Sequence, residues 1–334
     1  MNEAIKISVQ EKYKKIKTQA EKLWQESREG ENTFILVGTA TCGRASGSLE
    51  VFKAFEEEIS KHNLKAKVIS VGCLGHCYAE PLVIIRKSGY PPIIYPNISP
   101  PVVITLVKHF LLEDNFLPEL MLAALEPNDL LPSLTDFPRF ARETRIVLHD
   151  FGIIDPENIW DYIARGGFEG LHLALQLEPE EIITRVKNSG LRGLGGAGFL
   201  TGKKWEICFK TEAKEKYIIC NGDEGDPGSF SDRAVIESST YQVIEGLIIA
   251  GYAVSASRGY IYIRNEYPLA VKRMKTALKQ AQELGLLGKG ILGSEYSLEL
   301  KVFEGSGAFV CGEETALIHS IEGKRGMPRY RPPY

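Results

Sequence analysis

The sequence predicts an α/β protein in two folded parts, the second of which carries three glycine-rich turns. Short apolar runs rich in β-branched residues alternate with stretches of helical period from one end to the other. A chain of 334 residues has room for about two or three domains, each able to bury a core. Its net charge of −3 and 25% charged residues are those of an ordinary soluble protein, and no basic excess points to nucleic acid. No apolar run approaches the ~20 residues that span a bilayer. The longest, Val243 to Val254, carries Glu245 and two glycines. The N-terminus has no apolar signal core, so the expected location is the cytoplasm. Six cysteines are present, and in that compartment they suit thiols or metal ligands better than disulfides.

The elements follow in order. Ile5 to Glu29 alternates charged and apolar positions as an exposed amphipathic helix does, giving an N-terminal helix within 1–30. Thr33 to Val37 reads as a strand, Ser48 to His62 as a helix and Ala66 to Val71 as a strand. Leu82 to Arg86 and Ile93 to Tyr95 read as two more strands, and Val102 to Leu112 as a closing helix. Strand–helix–strand followed by a hairpin and a helix is a thioredoxin-like order, here over 31–113. Residues 114–144, with scattered Pro, Asp and Asn, read as a linker holding one short helix at Pro118 to Leu125. A second domain is expected over 145–334. Its helices are Ile159 to Ala164, Leu171 to Leu175, Pro179 to Lys187, Tyr241 to Ala256, Leu269 to Leu284 and Glu313 to Glu322. Its strands are Tyr217 to Cys220 (expected to be buried), Tyr260 to Arg264 and Leu298 to Phe303.

Three segments of that domain carry the chemistry. Gly190-Leu191-Arg192-Gly193-Leu194-Gly195-Gly196-Ala197-Gly198-Phe199 packs five glycines into nine residues and leads to Lys203-Lys204-Trp205. Turns of this kind aim consecutive N–H groups at phosphate oxygens. A helix precedes the loop where a dinucleotide fingerprint needs a strand, so a phosphate loop of another fold fits better, with a purely structural turn as the alternative. The strand ending at Cys220 runs into Asn221-Gly222-Asp223-Glu224-Gly225-Asp226-Pro227-Gly228. Polar groups at that end of a strand suit ligand contacts, although the same residues make ordinary solvated turns. Glu304 to Leu317 is a glycine-rich entry to a helix whose first turn carries Glu313 and Glu314, which also suit the helix dipole alone.

Taken in order, the three segments resemble the FMN- and NADH-binding flavoprotein domain of respiratory complex I, found also in NAD-linked hydrogenases and formate dehydrogenases. Arg192 to Trp205, Asn221 to Gly228 and Gly307 to Leu317 match its three motifs. The resemblance implies a complex I flavoprotein-type α/β FMN-binding domain over 145–334. It implies FMN contacts from Gly193, Gly195 and Gly196, with Lys204 near the phosphate and ribityl end. Asn221, Asp223 and Glu224 would hold the flavin and its ribityl chain, and Gly312, Glu313 and Glu314 would line the flavin and nicotinamide. Phe199, Asp226, Arg331 and Tyr334 would reach NADH. Leu194, Leu200, Asp226, Phe309 and Ile207 depart from the usual Arg, Pro, Glu, Tyr and aromatic residue, which weakens NADH contacts more than FMN contacts.

The N-terminal part resembles the thioredoxin-like [2Fe–2S] domain that partners this flavoprotein and supplies C-x₄-C and C-x₃-C ligand pairs. Cys73 and Cys77 keep the second pair and Cys42 one member of the first. Val37 stands at the fourth position, so an iron–sulfur site lacks a ligand. In the family, a β-grasp domain and a [4Fe–4S] domain follow the stretch matched by Arg331 to Tyr334; neither is in this sequence. The activity implied is that of an NADH dehydrogenase: hydride passes from NADH to FMN, whose chemistry needs no catalytic side chain, and electrons then go singly to iron–sulfur subunits of a larger redox complex. Two other readings stay open: a non-catalytic assembly subunit with degenerate sites, and an FMN reductase using another donor or acceptor. Neither nucleic acid nor a membrane is an expected partner.

Overall fold

The computed structural model describes residues 3–28, 32–138, 140–195 and 197–330. Two compact units emerge: Lys22–Asp161 with Glu237–Ser239, and Met1–Glu21 with Tyr162–Ile236 and Thr240–Tyr334. Among the described residues no helix is long and apolar enough to cross a membrane.

In chain order, helix α1 (Glu3–Arg28) precedes strand β1 (Thr33–Gly38), helices α2 (Thr41–Ala45) and α3 (Ser48–Lys61), and strands β2 (Ala66–Val71), β3 (Val83–Arg86) and β4 (Ile93–Tyr95). Helix α4 (Pro100–Leu106) runs on as one π-helical stretch to Leu112 and is followed by β5 (Ala123–Ala124). The sheet order is β2-β1-β3-β4-β5. β1 and β2 are parallel, with Thr33 opposite Ala66, and β3 and β4 are antiparallel neighbours of β1 and β3. This is the thioredoxin-like order expected. The segment expected as a helix over Pro118 to Leu125 is instead a 3₁₀ turn at Pro118–Leu120 and then β5. Ala123 and Ala124 pair with Ile94 and Ile93, and the Leu122 N–H donates to the Ile94 carbonyl (2.8 Å), so sheet pairing overrides helical propensity here.

Strand alternation splits the core. Ile35, Val37, Val83, Ile85 and Tyr95 face α3 and α4, meeting Phe55, Val103, Leu106 and Phe110. Phe34, Leu36, Ile69, Ile84 and Ile94 face the other way and are covered by irregular chain, with Leu74, Leu82, Leu134 and Phe140. Val37 is therefore a core residue of the helical face, whereas the segment carrying Cys73 and Cys77 covers the opposite face.

The second unit begins in α1. Tyr13 is buried, its hydroxyl donates to the Gly167 carbonyl (3.1 Å), and its ring stacks on His172 at 4.8 Å. Helices α5 (Ile159–Ala164), α6 (Glu169–Ala174), α7 (Pro179–Asn188) and α8 (Thr201–Lys210) lead to β6 (Tyr217–Gly222). Then come α9 (Asp232–Ser238), α10 (Thr240–Val254), β7 (Arg258–Arg264), α11 (Pro268–Glu283), β8 (Glu299–Gly305) and α12 (Glu314–Ile321). The sheet β6-β7-β8 is parallel throughout, with Gly222 opposite Ile263 and Arg264 opposite Gly305. β6 lies at the edge and is only partly covered, not buried as its apolar sequence suggests. α10 is apolar nearly all round, and its Glu245 carboxylate accepts from Tyr162 Oη (2.6 Å), Phe168 N–H (2.7 Å) and Leu171 N–H (3.0 Å). Three donors make that burial tolerable.

In the thioredoxin-like unit Glu80 is buried, and its carboxylate accepts from the Leu82 N–H at 2.8 Å. Burial pushes this carboxyl up to about 7, the Leu82 bond opposing. An acid raised in the folded state binds its proton more tightly there, so its contribution is fully present below the unfolded value and lost as pH rises to the folded one. Stability should therefore fall by up to about 3 kcal/mol as pH climbs from the ordinary carboxylate range to about 7. Urea unfolding of wild type and Glu80→Gln across that range is the check: the variant should be the more stable at alkaline pH, and its curve should lack this step.

Candidate functional site

The carboxyl ends of three parallel strands lie side by side, and Asn221, Asp223, Glu224, Asp226, Gly312, Glu313 and Glu314 of the residues singled out in the sequence lie in or beside the segments that follow them. Side chains there are tied to backbone across turns. Asn221, at the end of β6, donates from Nδ2 to the Gly312 carbonyl (2.8 Å) while its Oδ1 accepts from the Asp223 N–H (3.2 Å). This joins the turn after β6 to the 3₁₀ turn Phe309–Gly312 that precedes α12.

Asp223 is buried, and its Oδ2 has no hydrogen-bond partner. Burial raises its pKa, partly offset by Arg264, whose Nη1 stands 3.5 Å from Oδ1; Glu266 adds to the rise. Arg264, the last residue of β7, is nearly buried and also donates from Nη2 to Glu266 Oε1 (2.9 Å) and to the Gly307 carbonyl (2.8 Å). Gly307 has φ +83°, and a Cβ there would meet Glu266 Oε1 at 2.7 Å, so the turn after β8 closes on this ion pair only with glycine. Arg264 is the residue that sequence reasoning missed. Its signal was a charge closing an apolar strand, with a second charge two residues on.

Several carboxylates expected at a ligand are engaged locally. Burial works to raise the Glu224 pKa, but hydrogen bonds from the Ser229 side chain and from the Arg233, Ser231 and Asp232 N–H groups outweigh it and the pKa is lowered. Its oxygens take the N–H groups of Ser231 and Arg233 (2.8 Å for the latter), which starts α9. Glu313 caps α12, Oε2 accepting from the N–H groups of Thr315 (2.9 Å) and Ala316 (3.0 Å). Asp226 accepts from the Gly228 N–H (3.0 Å) in an Asx turn on the exposed loop. Glu314, in the first turn of α12, is exposed.

The glycine-rich loop is a separate construction. It is a hairpin between α7 and α8 closed by an antiparallel bridge of Arg192 with Leu200 and by the Gly193 N–H to the Phe199 carbonyl (2.9 Å). Arg192 Nη1 holds the Gly198 carbonyl at 2.9 Å. No described residue accepts from the N–H groups of Leu194, Gly195 or Ala197, and a Cβ on Gly195 would meet nothing within 4 Å. Gly196 lies outside the described residues. On α8, Lys204 is exposed and forms no ion pair among the described residues, whereas Lys187 and Lys210 share Glu206 at 2.8 and 2.9 Å. Phe199 is 48% exposed, Leu194 94% and Phe309 74%. Arg331 and Tyr334 lie outside the described residues.

Of the cysteines expected as metal ligands, Cys73 and Cys77 bring their sulfurs to 3.9 Å, and Cys42 lies in α2. Among the described residues no group of three or more His, Cys, Asp or Glu converges as a metal site does, so the donors present do not make up a four-ligand cluster site.

Unclaimed loop N–H groups and an exposed lysine suit an anionic group, and the buried Asp223 Oδ2 suits a hydrogen-bond donor. Residues 186–334 match the Complex1_51K family, described as the Nuo51 FMN-binding domain. The resemblance read from the three motifs therefore holds for this segment. The chain is 54% identical over 193 residues to the NADP-reducing hydrogenase subunit HndC of Solidesulfovibrio fructosivorans, covering 58% of this chain and 39% of that protein. It is 51% identical over 177 residues to an NADH-quinone oxidoreductase subunit of Aquifex aeolicus, covering 53% and 41%. The chain thus spans about two fifths of the length of these curated relatives. Among solved structures, an NAD⁺-reducing [NiFe]-hydrogenase in its H₂-reduced state aligns with 90% of this chain and 48% of its own, at 25% identity and a TM-score of 0.46.

Replacing Arg264 with Leu should leave Asp223 buried without its counter-charge and cost about 3 kcal/mol of stability. The double variant Arg264→Leu/Asp223→Asn should recover a large part of that loss. Urea midpoints of the single and double variants measure both; equal midpoints would mean that the pair does not hold the turns.

Proposed function

We propose that this chain is the NADH-oxidising flavoprotein module of a larger redox assembly in the cytoplasm, with FMN held by the domain over 145–334 and iron–sulfur subunits taking its electrons. The observation that carries the reading is the Nuo51 FMN-binding domain match over residues 186–334, which contains all three glycine-rich segments. Bound FMN supplies the redox chemistry, accepting hydride and releasing electrons singly. The remaining division is an N-terminal helix over 1–30, a thioredoxin-like docking part over 31–113 and a linker over 114–144.

The chain's own residues bind and orient. The tip of the loop presents the unclaimed N–H groups of Leu194, Gly195 and Ala197 to the phosphate end while the Gly193 N–H closes the hairpin, and Lys204 offsets its charge. Asn221, fixed by the Gly312 carbonyl, presents the rest of its amide to the flavin side. Asp223 Oδ2 accepts from a ligand hydroxyl or ring N–H, the one hydrogen bond its buried site lacks. Glu224 shapes the turn with both oxygens on backbone, and its remaining lone pairs would accept from ribityl hydroxyls. Gly312, Glu313 and Glu314 line the flavin and nicotinamide. Glu313 acts through the α12 cap it makes and Glu314 through its exposed carboxylate. Phe199, Asp226, Arg331 and Tyr334 contact the dinucleotide.

Anaerobic reconstitution with FMN, followed by absorption spectra before and after NADH, tests this. Wild type should retain flavin and bleach with NADH. Gly195→Val should lower FMN affinity at least tenfold, about 1.4 kcal/mol, by filling the loop. Glu314→Gln should keep its flavin and change the steady-state rate of NADH oxidation. Retained flavin that NADH never bleaches would favour a non-catalytic assembly subunit, and no retained flavin would remove the site assignment.

A further inference from the structure

The flavin site leaves one reactive pair of side chains unused. Cys73 and Cys77 face each other across Gly75, their sulfurs 3.9 Å apart. One is buried and the other exposed. The backbone at Cys73 is anchored, since its N–H donates to Ser238 Oγ (3.1 Å). The Gly75 N–H donates to Cys73 Sγ (3.2 Å), which fixes that sulfur on the side facing its neighbour. Gly75 itself has φ +89°, and a Cβ added there would meet nothing within 4 Å. Cys77 opens a 3₁₀ turn, Cys77–Ala79, which holds the second thiol at the surface.

Cluster ligation does not account for this arrangement. The position that a fourth cysteine would occupy is Val37, fully buried against α3 and α4. Among the described residues no third His, Cys, Asp or Glu joins the two sulfurs. Two thiols near contact, one accessible and one sheltered, are the donor set of a dithiol. A bond of about 2.05 Å needs the sulfurs to close by about 1.9 Å, within reach of side-chain rotation at two residues about a glycine.

We propose that Cys73 and Cys77 form a reversible dithiol–disulfide couple, reacting with small disulfides of the glutathione class. The exposed Cys77 thiolate attacks one sulfur of the small disulfide, forming a mixed disulfide and releasing the first small thiol. Cys73 Sγ then attacks Cys77 Sγ, closing the protein disulfide and releasing the second small thiol. Two electrons and two protons pass from the protein thiols to the small disulfide, so the exchange balances without another oxidant. Burial pushes the Cys73 thiol up to about 12, the Gly75 N–H opposing and Cys77 and Glu80 adding to the rise. Cys77, the exposed thiol, is the point of entry, and the sheltered Cys73 reacts from 3.9 Å away. None of this rests on the flavin reading.

The test uses the full chain, equilibrated without oxygen in buffers of reduced and oxidised glutathione, then alkylated and digested with trypsin. One peptide, Val68 to Arg86, carries both cysteines and no other. In oxidised buffer it should appear two hydrogens lighter and wholly unalkylated, and reduction should restore two alkylated thiols. Cys73→Ser should trap glutathione on Cys77, and Cys42→Ser should behave as wild type. The proposal is overturned if the peptide stays alkylatable at every buffer ratio, or if wild type accumulates glutathione on Cys77 without closing. Iron and sulfide reconstitution giving a stoichiometric two-iron cluster lost in both Cys73→Ser and Cys77→Ser would overturn it equally, by giving these sulfurs another use.

Discussion

The guanidinium of Arg264 is the constraint on which the strand-end cluster depends. Parallel strands deliver three turns to one edge of the sheet, but nothing in strand pairing fixes those turns to each other. Arg264 does so with one planar group: Nη2 reaches Glu266 and the Gly307 carbonyl, and Nη1 stands beside Asp223. A lysine could not serve three directions in one plane. Partial burial strengthens each contact and makes a missing one expensive, so the turns after β6, β7 and β8 are held as a unit.

Three acidic residues of the second unit serve the backbone. Glu245 gathers two N–H groups and a tyrosine hydroxyl inside the second unit, Glu224 starts α9, and Glu313 starts α12. Each satisfies donors that a helix start or a buried turn leaves open. Glu224 and Glu313 therefore shape the cluster from behind, whatever else they touch. Asp223 differs, because one of its oxygens is buried and unused.

What the sequence made legible follows from where the folding signal is local. Runs such as Ala66 to Val71 and Ile93 to Tyr95 declare themselves as strands by β-branched content, and both stand where expected. Helix α8 escaped because Gly202, Lys203 and Lys204 interrupt its apolar face near the start, and its packing on α7 is a tertiary effect. The Ala123–Ala124 strand escaped for the opposite reason: alanine favours helix, and only the free edge of β4 overrides it. At the candidate site, the three glycine-rich segments were readable as motifs. The Asn221 bond to Gly312 and the reach of Arg264 were not, because both join residues far apart in sequence.

The contact of Tyr13 with Gly167 sets an order in time as well as in space. The two residues are 154 positions apart, and α1 leaves the ribosome long before its partner exists. At about 5–20 residues per second, the wait is on the order of ten seconds or more. During it Val9, Tyr13 and Ala20, which the finished fold buries, have no native shelter. The nascent helix is then a natural client for a chaperone. The segment from Lys22 to Asp161 can acquire its own core while the rest of the chain is still being made.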